Sequence, residues 1–185
     1  MKSVTGIAGV LGILVLAGLA GCEGLKDPTT AKPDPVATAP AEPSAQTETP
    51  KDLKPKNVAL PTIPKGAGNM DDDAPEEMTP TSTGLYYRIL RKSDGRKPTV
   101  TDKVLAHYKG WLDDGKQFDS SYDRGEPSEF PLSGVIKGWT EGLQLIGEGG
   151  MIELEIPGRL GYPQGGPGIP PMSTLHFIVE LKEVK

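Results

Sequence analysis

Cysteine, histidine and basic runs are scarce in this sequence, and each shortage removes a class of function. The single cysteine, Cys22, cannot form an intramolecular disulfide. The two histidines, His107 and His176, have no third ligand that would complete a metal site. The net charge is −5 and no stretch of the chain is basic, which argues against nucleic-acid binding.

Nucleophilic and phosphate-binding motifs are also missing. Ser120 and Ser121 have no evident base partner, so the sequence gives no support to a hydrolase. The glycine-rich runs at 147–150 and 161–168 lack the lysine and the spacing of a phosphate-binding loop, and we interpret them as turns. We therefore expect a protein that works without a cofactor, a metal or a covalent intermediate.

The first residues of the chain are typical of an export signal. No charged residue lies between Lys2 and Glu23, and the side chains between them are apolar or small. A basic start, an apolar centre and small residues before a cut site describe a secretory signal peptide. The end of this stretch, Leu19-Ala20-Gly21-Cys22, resembles the lipobox of bacterial lipoproteins. That resemblance implies a signal peptide at 1–21 and a lipid on Cys22, which would anchor the chain to a membrane of the bacterial cell envelope on the periplasmic or outer-surface side.

Two alternatives to the lipoprotein interpretation stay open. The first is an uncleaved transmembrane helix, for which the length is just sufficient. Five glycines between positions 6 and 21 make it a poor one. The second is an ordinary signal peptide with an incidental cysteine.

Residues 22–83 predict a flexible, lipid-anchored linker. Eleven of the 19 prolines lie between positions 23 and 80, and residues 23–83 carry 6 Lys or Arg against 11 Asp or Glu. Apolar side chains are sparse and show no period, so the segment cannot bury enough surface to offset the entropy of ordering it. The apolar run Val58–Ile63 is a candidate docking motif, although a plain spacer is favoured. The folded domain is then expected at 84–185.

Alternating apolar and polar residues predict an antiparallel sheet in this domain. The alternation is visible at 85–90, 104–111, 151–156 and 175–182, and Asp113-Asp114-Gly115 predicts a hairpin turn. Each strand is expected to bury one face.

One short helix is predicted beside the sheet. Trp139, Leu143 and Ile146 have helical spacing, and Gly147 is a plausible C-terminal cap. Together these elements predict an α+β domain with a twisted antiparallel sheet of about five strands wrapped around one short helix. In that arrangement Trp139 would pack the helix on the sheet.

Three motifs follow one another in the domain and combine aromatic and apolar side chains with one carboxylate. They are Phe118-Asp119-Ser120-Ser121, Val135-Ile136-Lys137-Gly138-Trp139, and Ile169-Pro170-Pro171 followed by Thr174-Leu175-His176-Phe177. Each motif alone is weakly informative. Their order and spacing resemble the FKBP-type peptidyl-prolyl cis-trans isomerases over residues 84–185.

That resemblance implies an FKBP-like fold with an apolar pocket in which an X–Pro peptide bond is isomerised. It places Trp139 as the floor under the proline ring, and it gives Asp119 and Tyr162 polar roles in catalysis. The remaining side chains would bind the substrate as walls and rim: Tyr108, Phe118, Val135, Ile136, Ile169 and Phe177. Asp119 is equally open to a structural role, as an acceptor for Arg124 or Tyr108.

The sequence departs from the family pattern at the edge of this pocket. Ser128 stands where family members often carry an aromatic residue, and Pro163 follows Tyr162 where glycine is usual. The segment 163–170 is about two residues shorter than in single-domain eukaryotic members. These departures bear on macrolide inhibitors and on peptide preference more than on isomerase activity.

The sequence hypothesis is a peptidyl-prolyl isomerase that assists the folding of exported proteins. Its partners would be X–Pro segments of partly folded exported proteins, the membrane through the lipid on Cys22, and macrolide inhibitors. An alternative is a chaperone or adaptor module that grips proline-containing peptides with little turnover, and a purely structural lipoprotein is a further one. We expect a monomer, because the sequence shows no oligomerisation signal.

Overall fold

The computed structural model describes residues 53–185, which form eight strands and two short helices. The predicted signal peptide, Cys22 and the linker up to residue 52 lie outside the described residues. The strands are β1 (Lys56–Asn57), β2 (Glu77–Pro80), β3 (Tyr86–Arg91), β4 (Lys103–Leu112), β5 (Gln117–Ser120), β6 (Ser128–Pro131), β7 (Met151–Ile156) and β8 (Leu175–Val184). The helices are α1 (Ser121–Arg124) and α2 (Lys137–Leu143), with 3-10 turns at Leu132–Gly134 and Gly158–Leu160. Within the described part of the chain, no helix is long and apolar enough to cross a membrane.

The eight strands form one antiparallel sheet with the order β1-β2-β3-β7-β8-β4-β5, and β6 pairs with β4. The α+β class is therefore confirmed, and β3, β4, β7 and β8 lie where alternation predicts them. The sheet has three strands more than the five predicted. The additional strands β1, β2 and β6 have at most four residues each, too few to show a period of two.

Helix α2 packs closely on β7 because two glycines face the strand. A Cβ atom on Gly138 would lie 2.5 Å from Cγ2 of Ile156, and one on Gly142 would lie 2.6 Å from Cδ2 of Leu154. Larger residues at these two positions would push the helix away from the sheet. The helix and its Trp139 can therefore sit directly on the strands.

The end of this helix differs from the prediction. It ends at Leu143 with Gln144 as its C-cap, so Gly147 is not the cap. Ile146 still belongs to the same core, but it packs from beyond the helix.

Residues 53–83, here called the N-terminal segment, cover the opposite face of the sheet. This differs from the prediction of a flexible linker that ends at residue 83. β1 and β2 extend the sheet beyond β3, and Met78 in β2 is buried. Other side chains of the segment form a second small core with the strands: Ile63, Ala67 and Met70 pack against Leu90, Met151 and Ile178. The packed structure thus begins before residue 84.

The covered face also changes the burial pattern of the strands. The alternation in β7 predicts one buried face, but Met151 and Glu153 on its other face are buried as well. In β8, Ile178 and Glu180 are buried in the same way. Both faces of the central strands are therefore shielded from solvent.

Arg88 fastens the N-terminal segment to the sheet. Its side chain is fully buried and donates from Nε to the Glu153 carboxylate at 2.5 Å. Nη1 donates to the carbonyl oxygens of Val58 at 2.5 Å and Glu76 at 2.9 Å, and Nη2 donates to that of Ala59 at 2.7 Å. A buried guanidinium is tolerated only when its donors are paired. These bonds meet that requirement with carbonyls from two separate parts of the segment.

We predict that Arg88→Met lowers the free energy of unfolding by about 3–5 kcal/mol, because a buried carboxylate and three carbonyls lose their donor. Urea denaturation followed by circular dichroism measures this loss. Arg96→Met is the matched control, since the Arg96 side chain is half-exposed and its ion pair is with Asp102. Such exposed pairs contribute about 0–1 kcal/mol. Equal stability of the two variants would contradict the role assigned to Arg88.

Candidate active site

Trp139 lies at the centre of an aromatic cluster on the helix side of the sheet. It is 2% exposed. Three rings meet it edge to face, with centroid distances of 5.1 Å to Tyr108, 5.3 Å to Phe177 and 5.5 Å to Phe130. This geometry is favourable for aromatic pairs. Because the three rings come from β4, β8 and β6, the sheet itself holds them around the indole.

The indole N–H of Trp139 is itself unusual. Nε1 is buried and has no hydrogen-bond partner within residues 53–185. A buried donor without an acceptor is rare in folded proteins, because it loses its hydrogen bond to water without replacement. The core of the aromatic cluster therefore contains one polar atom whose bonding capacity is unused.

Further apolar side chains surround this cluster. Phe118 packs edge to face on Phe177 at 5.4 Å, and Gly110 in β4 leaves the room that these two rings need. Val135 and Ile136 lie just before helix α2, and Ile169 lies in the loop that precedes β8. The structure places every predicted wall residue in the same buried core as Trp139: Tyr108, Phe118, Val135, Ile136, Ile169 and Phe177.

A polar network closes one side of the cluster. Asp119 accepts a hydrogen bond from the Tyr108 hydroxyl at 2.7 Å and forms an ion pair with Arg124 at 2.6 Å. Arg124 Nη2 also donates to the Tyr108 hydroxyl at 2.8 Å and to the Ser128 hydroxyl at 3.2 Å. The network therefore fixes the Tyr108 ring, which in turn contacts Trp139.

Both oxygens of Asp119 are occupied in this network. Oδ1 accepts from Arg124 and from the backbone N–H of Ser120 at 2.7 Å, and Oδ2 accepts from Tyr108. The two structural partners that the sequence suggested for this carboxylate are thus both present. A direct role of Asp119 towards a substrate stays a prediction.

Tyr162 is buried in the same core and begins a tightly bonded loop. Its carbonyl oxygen accepts hydrogen bonds from the N–H groups of Gly165 at 3.0 Å and Met172 at 3.3 Å, and Gly166 and Ile169 bond to each other. Burial raises the pKa of the Tyr162 phenol, and the charge of Asp119 adds to that effect. The hydroxyl therefore stays protonated at neutral pH, as a hydrogen-bond donor must.

Sequence reasoning did not assign a site role to Phe130. It named Arg124 only as a structural partner of Asp119, and Ser128 only as a departure from the family pattern. Phe130 is opposite Val104 in the β4–β6 pair and contacts Trp139 directly. Its strand is only four residues long, so alternation gave a weak signal. Arg124 is held near Asp119 because helix α1 begins directly after β5 and is only one turn long. The charge pair at i and i+5 was the available sequence signal.

The histidines lie on the other face of the sheet from Trp139. His107 stacks on Tyr122 with a centroid distance of 4.7 Å, and burial lowers its pKa. His176 stacks on Trp111, and its Nε2 lies 2.7 Å from Asp113 Oδ1. No group of three or more potential metal ligands occurs within residues 53–185.

We predict that three of the five tyrosines resist ionisation in the folded protein. Burial raises the pKa values of Tyr108, Tyr122 and Tyr162, and hydrogen bonds to Asp119 and Glu180 add to the shifts of the first two. Unfolded phenols ionise near pH 10, whereas these stay neutral, so the free energy of unfolding should be constant in mild alkali and fall above about pH 10.

Tyrosinate absorbance during an alkaline titration, combined with denaturation on both sides of this pH, measures the effect. Asp119→Asn should lower the pKa of Tyr108 in folded protein. Five tyrosines that titrate together at the pKa of free phenols would contradict the burial described here.

Comparisons with known proteins agree with this geometry. Residues 94–182 match the sequence profile of the family described as FKBP-type peptidyl-prolyl cis-trans isomerase. FkpA of Escherichia coli strain K12, an FKBP-type peptidyl-prolyl cis-trans isomerase, is 56% identical over 106 residues, which are 57% of this chain and 39% of that protein. The FKBP-type 22 kDa isomerase of the same strain is 46% identical over 123 residues, which are 65% of this chain and 60% of that protein. The chain thus spans less than two thirds of the length of these curated relatives.

Solved structures show the same fold. The crystal structure of Escherichia coli FkpA superposes with a TM-score of 0.57 at 54% identity. The match includes 58% of this chain and 51% of the FkpA chain. The crystal structure of AtFKBP13 superposes with a TM-score of 0.54 at 34% identity, and the match includes 58% of this chain and 98% of the AtFKBP13 chain. From the ordered motifs, the sheet with α2 on one face and these matches, residues 94–182 of the chain form a domain of the FKBP-type peptidyl-prolyl cis-trans isomerase family.

Proposed function

We propose that the domain isomerises X–Pro peptide bonds in the aromatic cluster around Trp139. One observation carries this proposal: three neighbouring strands hold aromatic rings around a single buried indole, and the hydroxyl of one of these rings, Tyr108, donates to the Asp119 carboxylate. This arrangement suits a reaction in which the substrate is surrounded. The FKBP-type family to which residues 94–182 belong supports the same activity.

The chemistry of proline isomerisation needs no covalent step. The C–N bond has partial double-bond character, with a rotation barrier of about 18–20 kcal/mol. The planar amide carries negative charge on its carbonyl oxygen, and the twisted transition state loses part of that charge. A dry apolar site therefore disfavours the planar amide relative to the twisted one. Catalysis requires that the site bind the twisted form more strongly than either planar form.

The side chains have distinct roles in this proposal. Trp139 lies beneath the proline ring, and Tyr108, Phe118 and Phe177 form the walls. The rim is completed by Val135, Ile136 and Ile169. The Tyr162 hydroxyl donates to a substrate carbonyl, and the backbone N–H of Ile136 donates to a second one.

Asp119 has a positioning role. Its carboxylate oxygens bind Tyr108, Arg124 and the Ser120 N–H, so its charge is already satisfied without a substrate. Removal of the carboxylate would free the Tyr108 ring, which contacts Trp139. Loss of the carboxylate would then lower turnover indirectly, because the Tyr108 wall of the pocket would no longer be fixed.

Ser128 makes one wall of this pocket polar. Its hydroxyl accepts from Arg124 at 3.2 Å, in a position where many family members carry an aromatic ring. We therefore propose weaker binding of macrolide inhibitors and a broader choice of side chains next to the proline. The altered segment after Tyr162 supports the same two proposals on inhibitor binding and side-chain preference.

We predict that Trp139→Leu lowers kcat/KM for a Leu-Pro tetrapeptide by about 10–100-fold, or about 1.4–2.7 kcal/mol of transition-state stabilisation. Trp111→Leu is the matched control, because it changes the other tryptophan of the chain, which faces away from Trp139. A protease-coupled assay measures turnover, and thermal unfolding shows whether each variant is folded. Tyr162→Phe and Asp119→Ala test the polar roles without removing the indole.

Two outcomes would contradict this assignment. A catalysed rate no greater than that of solvent at micromolar protein would contradict isomerase activity. If the tetrapeptide still bound, the domain would instead be a proline-peptide-binding module. Full turnover in folded Trp139→Leu would place the reaction elsewhere.

We also propose that the protein is exported and assists the folding of exported proteins from a membrane anchor, as a monomer. Support comes from the signal-like stretch at 1–21 and from Cys22 at its end. Diacylglyceryl modification gives at least two acyl chains, which hold a protein stably on a bilayer. The relatives named above come from a bacterium, and a lipobox is a bacterial signal.

We predict that Cys22→Ser moves the protein from the membrane fraction to the soluble fraction after cell lysis, because the lipid has no other thiol to occupy. Immunoblotting of the two fractions measures the change, and Ser44→Ala is a neutral control in the predicted linker. Membrane retention of Cys22→Ser would instead favour an uncleaved transmembrane helix.

A further inference from the structure

A groove with a volume of about 450 Å³ lies on the face of the sheet opposite Trp139. Successive side chains of a strand point to opposite faces. Tyr108 in β4 and Phe177 in β8 contact Trp139. Trp111, three residues after Tyr108, and His176, directly before Phe177, therefore face away from it. The N-terminal segment forms the other wall of the groove. This volume lies in the range of about 300–1,000 Å³ that is typical of ligand sites, and the proposed isomerase site does not use it.

Two stacked rings form the floor of the groove. Trp111 and His176 are cross-strand partners in β4 and β8, and their rings stack at 5.7 Å with an interplanar angle of 16°. His176 is held in this position by Asp113 at 2.7 Å. Trp111 is only partly buried. The floor therefore offers a fixed aromatic surface to a side chain.

The wall formed by the N-terminal segment is apolar and extended. Val58, Ala59, Pro61 and Thr62 line the groove, and the Val58 side chain is 39% exposed. Pro61 disfavours the helical conformation for Leu60 and thereby favours an extended chain there. The backbone N–H and C=O groups of Leu60 and Thr62 take part in none of the hydrogen bonds found within residues 53–185. Free backbone groups on an extended chain can pair with a second extended chain.

Lys109 is the cationic side chain of the groove. Of the two carboxylates that line it, Glu153 is paired with Arg88, and Asp113 lies in hydrogen-bond contact with His176. Lys109, which also lines the groove, forms no ion pair within the described residues. An acidic side chain next to an apolar one would complement this surface.

We propose that this groove binds an extended segment of an unfolded polypeptide, with an apolar side chain on the Trp111–His176 rings and an acidic side chain beside Lys109. The ligand pairs with the backbone at Leu60–Thr62 and needs no proline. The site is therefore separate from the proposed isomerase pocket and does not rest on it. A client chain could be held on one face of the sheet while its X–Pro bonds react on the other.

A proline-free peptide tests this proposal with the full chain. The test peptide is fluorescein-labelled Thr-Glu-Phe-Val-Thr-Val, and its twin carries Lys in place of Glu. Fluorescence anisotropy should show that the Glu peptide binds about tenfold more tightly than its twin, a difference of about 1.4 kcal/mol. Lys109→Glu should reverse this preference, and Trp111→Leu should weaken both peptides about tenfold. Val100→Ser, at an exposed apolar residue outside the groove, should change neither.

Isomerase turnover separates the two sites. It should be unchanged in Lys109→Glu and Trp111→Leu, and an excess of Leu-Pro tetrapeptide should not displace the proline-free peptide. Three results of the peptide experiments would overturn the proposal: no anisotropy change with either peptide, displacement by the Leu-Pro peptide, or an unaltered preference in folded Lys109→Glu. A dimer in sedimentation that dissociates in Trp111→Leu would also overturn it, because a second copy would then cover the groove.

Discussion

The packing of Trp139 between helix α2 and the sheet is the contact on which the proposed site depends. The indole can reach the strands only because Gly138 and Gly142 let the helix backbone approach β7 within the width of a side chain. Once there, it is met edge to face by rings from three strands. The Asp119 network then fixes Tyr108, so the geometry of the walls follows from the position of the floor. Trp139 is therefore the centre of the core and also the floor of the proposed site.

The second face of the sheet gives this site its support. Arg88 donates hydrogen bonds to two stretches of the N-terminal segment and so holds them on the strands. A small apolar core lies between the segment and the sheet. The strands that carry Tyr108 and Phe177 are consequently held from both sides. A pocket that favours a twisted amide must keep its walls in place during the reaction. The same segment also creates a groove on the rear face, so one sheet presents two surfaces of different chemistry.

The fold of the domain could be predicted well from the sequence because its main strands are long and amphipathic. β4 and β8 each have ten residues, enough for the alternation of buried and exposed side chains to identify them. The wall residues were found for a different reason, since their motifs resemble those of a known family. Their presence in one core with Trp139 agrees with that resemblance.

The N-terminal segment could not be predicted from periodicity. Ile63, Ala67 and Met70 pack on the sheet from an irregular chain, and Met78 lies in a strand of only four residues, so their spacing has no period. The prolines and charges around them favour a linker by composition. Arg88 and Glu153 look like the solvent-facing half of an alternating pattern, although they form a buried ion pair. Burial of a polar face by a non-repeating segment depends on tertiary contacts, which a local pattern does not contain.

The most direct test of the central claim uses the two tryptophan indoles as reporters in a ¹H–¹⁵N NMR spectrum. The chain has two tryptophans, one in each proposed site, so it gives two indole N–H signals that single substitutions assign. Addition of a Leu-Pro tetrapeptide should shift the Trp139 signal, whose N–H has no partner within residues 53–185, and leave the Trp111 signal in place. A shift of the Trp111 signal with an unchanged Trp139 signal would contradict the assignment of the proline site to the Trp139 cluster.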